Sequence, residues 1–249
     1  MSFKDHFSRL AAGYSAFRPS YPPALFEFLA QACTERRKAW DCACGTGQAT
    51  LALAELFDAV VATDASAQQV AAGPPHANVT YRVARAEDSG LESNSIDLVT
   101  VAQALHWFDL DPFYDEVRRV LKPSGLLAVW TYGPLHVGGD GIDALFQEFY
   151  YQIVGPYWPP ERRLVENGYR DLPFPFAAMA TPEFNMEVNW DRGRLLGYLR
   201  TWSATSRYVD AQGVDPVVAL EERLEPLWSD VHSTRTVTWP LAMRVGSKP

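Results

Sequence analysis

Apolar positions along the 249-residue chain follow two periods in turn. Leu25, Phe28, Leu29, Ala32 and Cys33 recur at helical spacing behind Pro22 and Pro23, which suit a helix start. Ala39–Cys42 is a short strand that enters a glycine-rich turn, and Ala49, Ala52, Leu53, Leu56 and Phe57 then give one helix face. Val60–Asp64 is a strand ending in an acid. Ser66-Ala67-Gln68-Gln69 has the spacing of a capping box, so a helix begins there. Val79–Val83 is a third strand, and Ile96–Ala102 a fourth, nearly all apolar, as a strand covered on both faces is. Asp111-Pro112 opens a helix with Phe113, Val117, Val120 and Leu121 inward; Lys122-Pro123-Ser124-Gly125 stops it, and Leu126–Thr131 is a fifth strand. Such alternation implies right-handed crossovers and a doubly wound, mostly parallel α/β sheet.

The second half is less regular. Ile142, Leu145, Phe146 and Phe149 mark a helix, and residues 155–176 are rich in Pro and aromatics, which reads as a cap or lid. Phe184–Trp190 and Thr236–Arg244 read as strands that complete the sheet, one of them antiparallel. Two helices lie between them, Gly193–Thr201 and one starting at Asp215-Pro216. The organisation expected is one domain: a lead-in over 1–37, a core over 38–132, a cap over 133–190, and C-terminal helices with a last strand over 191–249.

Bulk properties narrow the partners. Net charge is −8 with 21% charged residues, and the longest basic cluster is trivial, so a nucleic-acid duplex is not expected. No segment has the length of a membrane span, and Met1–His6 carries charge where a signal peptide needs an apolar stretch. Three cysteines, Cys33, Cys42 and Cys44, make no disulfide framework and fit a reducing, cytoplasmic compartment. Cys42 and Cys44 lack a second Cys or His pair, so no metal is expected. A monomer or weak homodimer acting on a small molecule is the expected state.

The chemistry centres on Trp40-Asp41-Cys42-Ala43-Cys44-Gly45-Thr46-Gly47-Gln48. Gly45 and Gly47 let the backbone approach a ligand beyond the strand ends, where strand order reverses. A dinucleotide fingerprint would need glycine where Thr50 stands, and Asp41 would repel pyrophosphate, so nicotinamide-dependent oxidoreduction is disfavoured. Asp41 suits a cofactor with a positive amino group, and Asp64 can accept both ribose hydroxyls. A tight structural turn is the plain alternative.

Asp41–Gly47 resembles motif I of class I S-adenosylmethionine-dependent methyltransferases. Val60–Asp64 resembles motif II, Ala84–Asp88 the adenine loop, and Arg119–Trp130 the segment around the fifth strand. Tyr14-x-x-x-Arg18-Pro-x-Tyr21-Pro22, Gln103–Asp109 and Tyr198–Ser203 are similar to the group that includes the trans-aconitate methyltransferases. Ala43 and Ser124 stand where the family often has glycine. The resemblance implies a Rossmann-like sheet of seven strands with S-adenosyl-L-methionine as cofactor. By it, Tyr14 and Arg18 fold over the cofactor, Ala65 and Gln69 flank the adenosine, Ala86 and Glu87 meet the adenine, and Gln103 faces the methionine portion.

His106 follows the fourth strand and is either a general base or a wall; no partner for it is evident. The acceptor pocket draws on Trp107, Tyr132, Trp158, Arg200, Trp202 and Arg207, with Arg200 a clamp for a carboxylate or a solvated charge, and Trp202 a core residue in the plain reading. The leading expectation, resting on the resemblance, is carboxyl O-methylation of a small organic acid. O-, N- or C-methylation of another metabolite, or a non-catalytic cofactor-binding module, are the alternatives.

Overall fold

A computed structural model describes residues 19–248. Within them the chain forms two compact units: residues 21–132, 164–184 and 241–248, and residues 19–20, 133–163 and 185–240. We call these the core unit and the cap unit.

The core unit is built on parallel strands β1 (Lys38–Cys42), β2 (Ala59–Asp64), β3 (Val79–Val83), β4 (Ile96–Ala102) and β5 (Leu121–Tyr132). Their order is β3-β2-β1-β4-β5, followed by β9 (Thr234–Ser247), which runs antiparallel to β5. Strand order therefore reverses between β1 and β4, the position where such sheets bind ligands. Leu98, Val99 and Val101 of β4 are all fully buried, which explains its unbroken apolar run. Edge strand β3 is mostly exposed. The sheet counts nine strands where seven were expected, because the short strands β6 (His136–Val137) and β7 (Ala177–Met179) and the longer β8 (Phe184–Asp191) also pair with β9.

Helices fall close to their expected places. Helix α1 (Pro23–Ala32) buries Leu25, Phe26, Leu29 and Ala30. Its inward face is thus rotated from the expected one; Phe28 is only half-buried and meets Phe184 with ring centroids 6.0 Å apart. Helix α2 (Gln48–Ala54) follows the glycine-rich turn, and α3 (Ala67–Ala71) is capped by the Ser66 side chain, which accepts from the Gln69 N–H. Helix α4 (Leu110–Val120) delivers the chain to β5 at Leu121. Lys122–Gly125 were expected to separate helix from strand; instead they form an irregularity inside β5, between the pairs Ile96–Leu121 and Leu98–Leu126, and Ser124 takes a left-handed φ of 67° there.

The cap unit holds α5 (Ile142–Glu148), α7 (Arg192–Arg200), α8 (Ser203–Gln212) and α9 (Pro216–Leu224); α6 (Arg162–Glu166) begins in the cap unit and ends in the core unit. Helix α8 was not expected from sequence. Strand β9 gives its first half to the cap unit, where β6 pairs at Val237 and Thr238, and its second half to the core unit. Among the described residues no helix is long and apolar enough to cross a membrane.

Gly47 marks how closely the turn is packed. A Cβ built on it would lie 2.6 Å from the Tyr81 hydroxyl oxygen, and its φ is +90°. Gly47→Ala should therefore cost about 1–3 kcal/mol in urea denaturation, from both clash and strain. Adding Tyr81→Phe should recover part of that loss; no recovery would assign all of it to the backbone.

Candidate functional site

The turn between β1 and α2 folds back through left-handed positions at Ala43 (φ 55°), Gly45 (55°) and Gly47 (90°). Ala43 accepts a conformation that glycine would adopt more cheaply. The turn is pinned to β2 by the Cys44 N–H, which donates to the Thr63 carbonyl at 2.9 Å.

Asp64, at the end of β2, orients the next part of the site. Its Oδ2 accepts from the Gly45 N–H at 2.9 Å and its Oδ1 from the Ser66 N–H at 2.8 Å. Each carboxylate oxygen can accept more than one bond, so this geometry presents an oriented acceptor pair to a vicinal diol. Among the described residues, a Cβ on Gly45 would meet nothing nearer than the Gln69 Oε1, at 4.0 Å. Open space over a glycine, edged by Asp64 and Gln69, fits a nucleoside.

Asp41 is 1% exposed. Its two oxygens accept from the hydroxyls of Thr50 (2.6 Å) and Thr100 (3.0 Å). Thr50, the residue that breaks the dinucleotide pattern, is thus the α2 partner of Asp41. Burial pushes the Asp41 carboxyl up to about 6, against the pull of the two hydroxyls.

The loop after β3, which the resemblance would place by the adenine, carries Ala86, buried in the core, and Glu87. Glu87 accepts from the Arg85 Nε (3.1 Å) and the Asp109 N–H (3.2 Å). Its carboxylate is therefore a tie to the segment after β4 rather than a solvated charge. Gln103 follows β4 in a left-handed conformation, φ 58°, and bonds the end of β5: its Nε2 donates to the Tyr132 carbonyl at 3.1 Å, and its Oε1 accepts from Thr131 at 2.5 Å.

His106 and Trp107 lie in a tight turn, Leu105–Trp107, directly beyond β4. The His106 Nδ1 is 2.8 Å from the Tyr169 hydroxyl, a partner that sequence reading missed. Trp107 is 40% exposed, with its ring 4.6 Å from the imidazole. Tyr132 is buried and packs near Tyr21. Ala65 adjoins Asp64 and is half-buried. Tyr14 and Arg18 lie outside the described residues.

In the cap unit, Trp158 and Trp202 belong to an aromatic cluster with Tyr150, and Arg162 stacks over Trp158 with 4.7 Å to its centroid. Trp202 is 9% exposed, consistent with packing. Arg200 pairs with Asp215 at 2.7 Å and Glu221 at 3.8 Å, so an incoming carboxylate would compete with two acids already there. Arg207 donates to the Tyr157 carbonyl at 3.3 Å. Among the described residues no group of three or more His, Cys, Asp or Glu is placed to hold a metal ion.

The buried Asp41 predicts a pH signature. Its folded value is raised from 3.8 to about 6, so its contribution to stability is complete below the lower value and lost as pH rises through the upper one. From about pH 4 to 7 the parent should lose on the order of 3 kcal/mol relative to Asp41→Asn, read by urea denaturation at the two ends. A constant difference between the two proteins would refute it.

Comparison with known proteins agrees with this geometry. A methyltransferase domain model matches residues 40–129, from the Asp41 turn through Asp64 and into β5. A protein of Dictyostelium discoideum described as a methyltransferase is 33% identical over 225 residues, 89% of this chain and 86% of that protein. A Saccharomyces cerevisiae protein described as an S-adenosylmethionine-dependent methyltransferase is 30% identical over 49% of this chain and 45% of its own length. A solved structure from Anaeromyxobacter dehalogenans, described as a type II methyltransferase, is 44% identical with a TM-score of 0.89, covering 93% of this chain and 98% of that one. By the domain match, the identity carried over most of the Dictyostelium relative and the fold shared with the Anaeromyxobacter structure, the chain belongs to the class I S-adenosylmethionine-dependent methyltransferases.

Proposed function

We propose that the chain methylates a carboxylate oxygen of a small organic acid. The observation that carries this reading is the group beyond β4, where the imidazole of His106 is held at Nδ1 by buried Tyr169 beside the exposed Trp107. A carboxylate is already ionised at pH 7, its reference pKa being about 4, so it needs orientation and a hydrogen-bond donor rather than a base. An imidazole against an indole face supplies both. The likeness of Gln103–Asp109 and Tyr198–Ser203 to the trans-aconitate methyltransferase group supports the same acceptor class.

Asp64 holds the ribose, with Ala65 and Gln69 beside the adenosine and Ala86 at the adenine edge. Glu87 acts from one step back, by tying that loop to Asp109. Gly45 and Gly47 shape the backbone, while Asp41 fixes the turn from beneath. When bound, S-adenosylmethionine supplies an electrophilic methyl group, which the acceptor oxygen takes as the S–CH₃ electron pair returns to sulfur. The protein's part is alignment, which can be worth several orders of magnitude in rate. Arg200, already paired, is not required; hydrogen bonding to the acid falls to His106.

The test is a mixed panel of small acids, phenols and amines, incubated with purified protein and S-adenosylmethionine and read by mass spectrometry. A base-labile ester, formed at least about 10-fold more slowly by Asp64→Ala because one charged ribose contact is lost, is the expected result. A base-stable methyl group on a phenol or amine would overturn the acid reading.

A further inference from the structure

The partner of His106 is held more firmly than its loop position suggests. Tyr169 stands 63 residues further along the chain, only 1% exposed, with its ring 5.8 Å from the imidazole. Its backbone is left-handed, φ 59°, a costly conformation for a bulky residue. Two bonds hold its backbone, one of them from an arginine that is itself anchored by two further contacts. The Tyr169 N–H donates to the Leu164 carbonyl at 2.9 Å. Arg244 Nη1 donates to the carbonyls of Tyr169 at 2.9 Å and Leu172 at 2.7 Å. The Arg244 guanidinium also lies over the Phe174 ring, 4.6 Å from its centroid. Arg244 itself is fixed in β9 opposite Val129 of β5. The phenol is therefore positioned from the sheet, on a residue paired to the same strand that neighbours β4.

The hydrogen bond between Nδ1 and the phenol has a preferred polarity. A phenol O–H, with a pKa near 10, is a far stronger donor than a neutral imidazole N–H. The sp² nitrogen of imidazole is in turn a better acceptor than a phenol oxygen. The stronger donor meets the stronger acceptor when Tyr169 donates to Nδ1. A neutral imidazole carries one N–H, which then sits on Nε2.

We propose that Tyr169 is a positioning residue that fixes His106 as the Nε2–H tautomer, so that the imidazole meets the acceptor as a hydrogen-bond donor and not as a general base. This rests on the reading that His106 faces the acceptor, and it narrows the acceptor class. A carboxylate takes the Nε2–H bond and has no proton to surrender. A phenol or alcohol finds no basic nitrogen there. Selection of acids over phenols thus follows from a buried tyrosine that acts through His106.

The test needs no acceptor. Long-range ¹H–¹⁵N spectra of the full-length ¹⁵N-labelled protein, with S-adenosylhomocysteine at about pH 8 where an ordinary imidazole is neutral, report which ring nitrogen carries the proton. His106→Gln assigns the signals among the five histidines. The expected result is a protonated-type Nε2 and an unprotonated-type Nδ1. In Tyr169→Phe, which keeps the ring, the two nitrogen shifts should move toward each other as the tautomers mix, with S-adenosylhomocysteine affinity changed less than about 2-fold. A proton on Nδ1 in the parent overturns the proposal, as does an unchanged His106 spectrum in folded Tyr169→Phe. Should that variant not fold, 3-fluorotyrosine incorporation serves: its more acidic phenol should displace the Nδ1 signal, and no displacement overturns the role of Tyr169. A donor tautomer together with methylation of phenols only would preserve the assignment and remove the acid reading, so the two fail separately.

Discussion

A single carboxylate, that of Asp41, ties together the three elements that meet where strand order reverses. It leaves β1, takes the Thr100 hydroxyl from β4, and takes the Thr50 hydroxyl from the first turn of α2. An ionised group this deeply buried is expensive unless hydrogen-bonded, so both hydroxyls are constrained to face it. That constraint sets the rotation of α2, because Thr50 must point inward. With α2 so placed, the backbone has only five residues, 43 to 47, in which to pass from strand to helix. It does so through three left-handed positions. The Gly45 N–H is thereby turned toward Asp64, and the two acids of neighbouring strands acquire different work: one holds the turn from below, the other presents oxygens above it.

Among the described residues, three of the five non-glycine residues in left-handed conformations lie near the carboxyl ends of the strands, while Asn94 and Ser124 lie at the other end. Ala43 lies in the motif I turn, Gln103 follows β4, and Tyr169 backs His106. Each such position costs of order 1–3 kcal/mol and persists only where neighbours over-determine it. The over-determination is visible: the core packs around Ala43, β5 takes both ends of the Gln103 amide, and Arg244 clamps the Tyr169 carbonyl. Strain at these three positions is therefore borne by the surrounding core and by β5 and β9.

Much of this was legible in the sequence, and the limits follow physical lines. Strands β3 and β4 matched their expected boundaries, and β2 began one residue earlier than expected, because each is a run of alternating or continuous apolar residues between turn formers. The Ser66 cap was legible because its partner is three residues away. Helix α8 was not, since its buried positions, Ala204 and Thr205, are small or polar and give no stripe. Strands β6 and β7 are two and three residues long, too short for any period to show. Asp41 and Asp64 stood out as site residues through the motif, yet Thr50 looked only like a missing glycine. Tyr169 left no local signal, because its value lies in a partner 63 residues away. Arg200 looked like a clamp until Asp215 and Glu221 were seen beside it.

The two cysteines of the turn bear on a hazard that every methyl-donor protein meets. A thiolate is among the most avid nucleophiles for a sulfonium methyl group, and Cys42 closes β1 while Cys44 lies in the turn that follows, the segment we propose to face the donor. Burial, reinforced by the nearby Asp41 and Asp64 carboxylates, raises both thiols well above their ordinary range. At neutral pH they stay protonated and poorly nucleophilic. Burial above all, with the two acids adding to it, thus lets small, well-packing cysteines sit at this strand end as unreactive thiols.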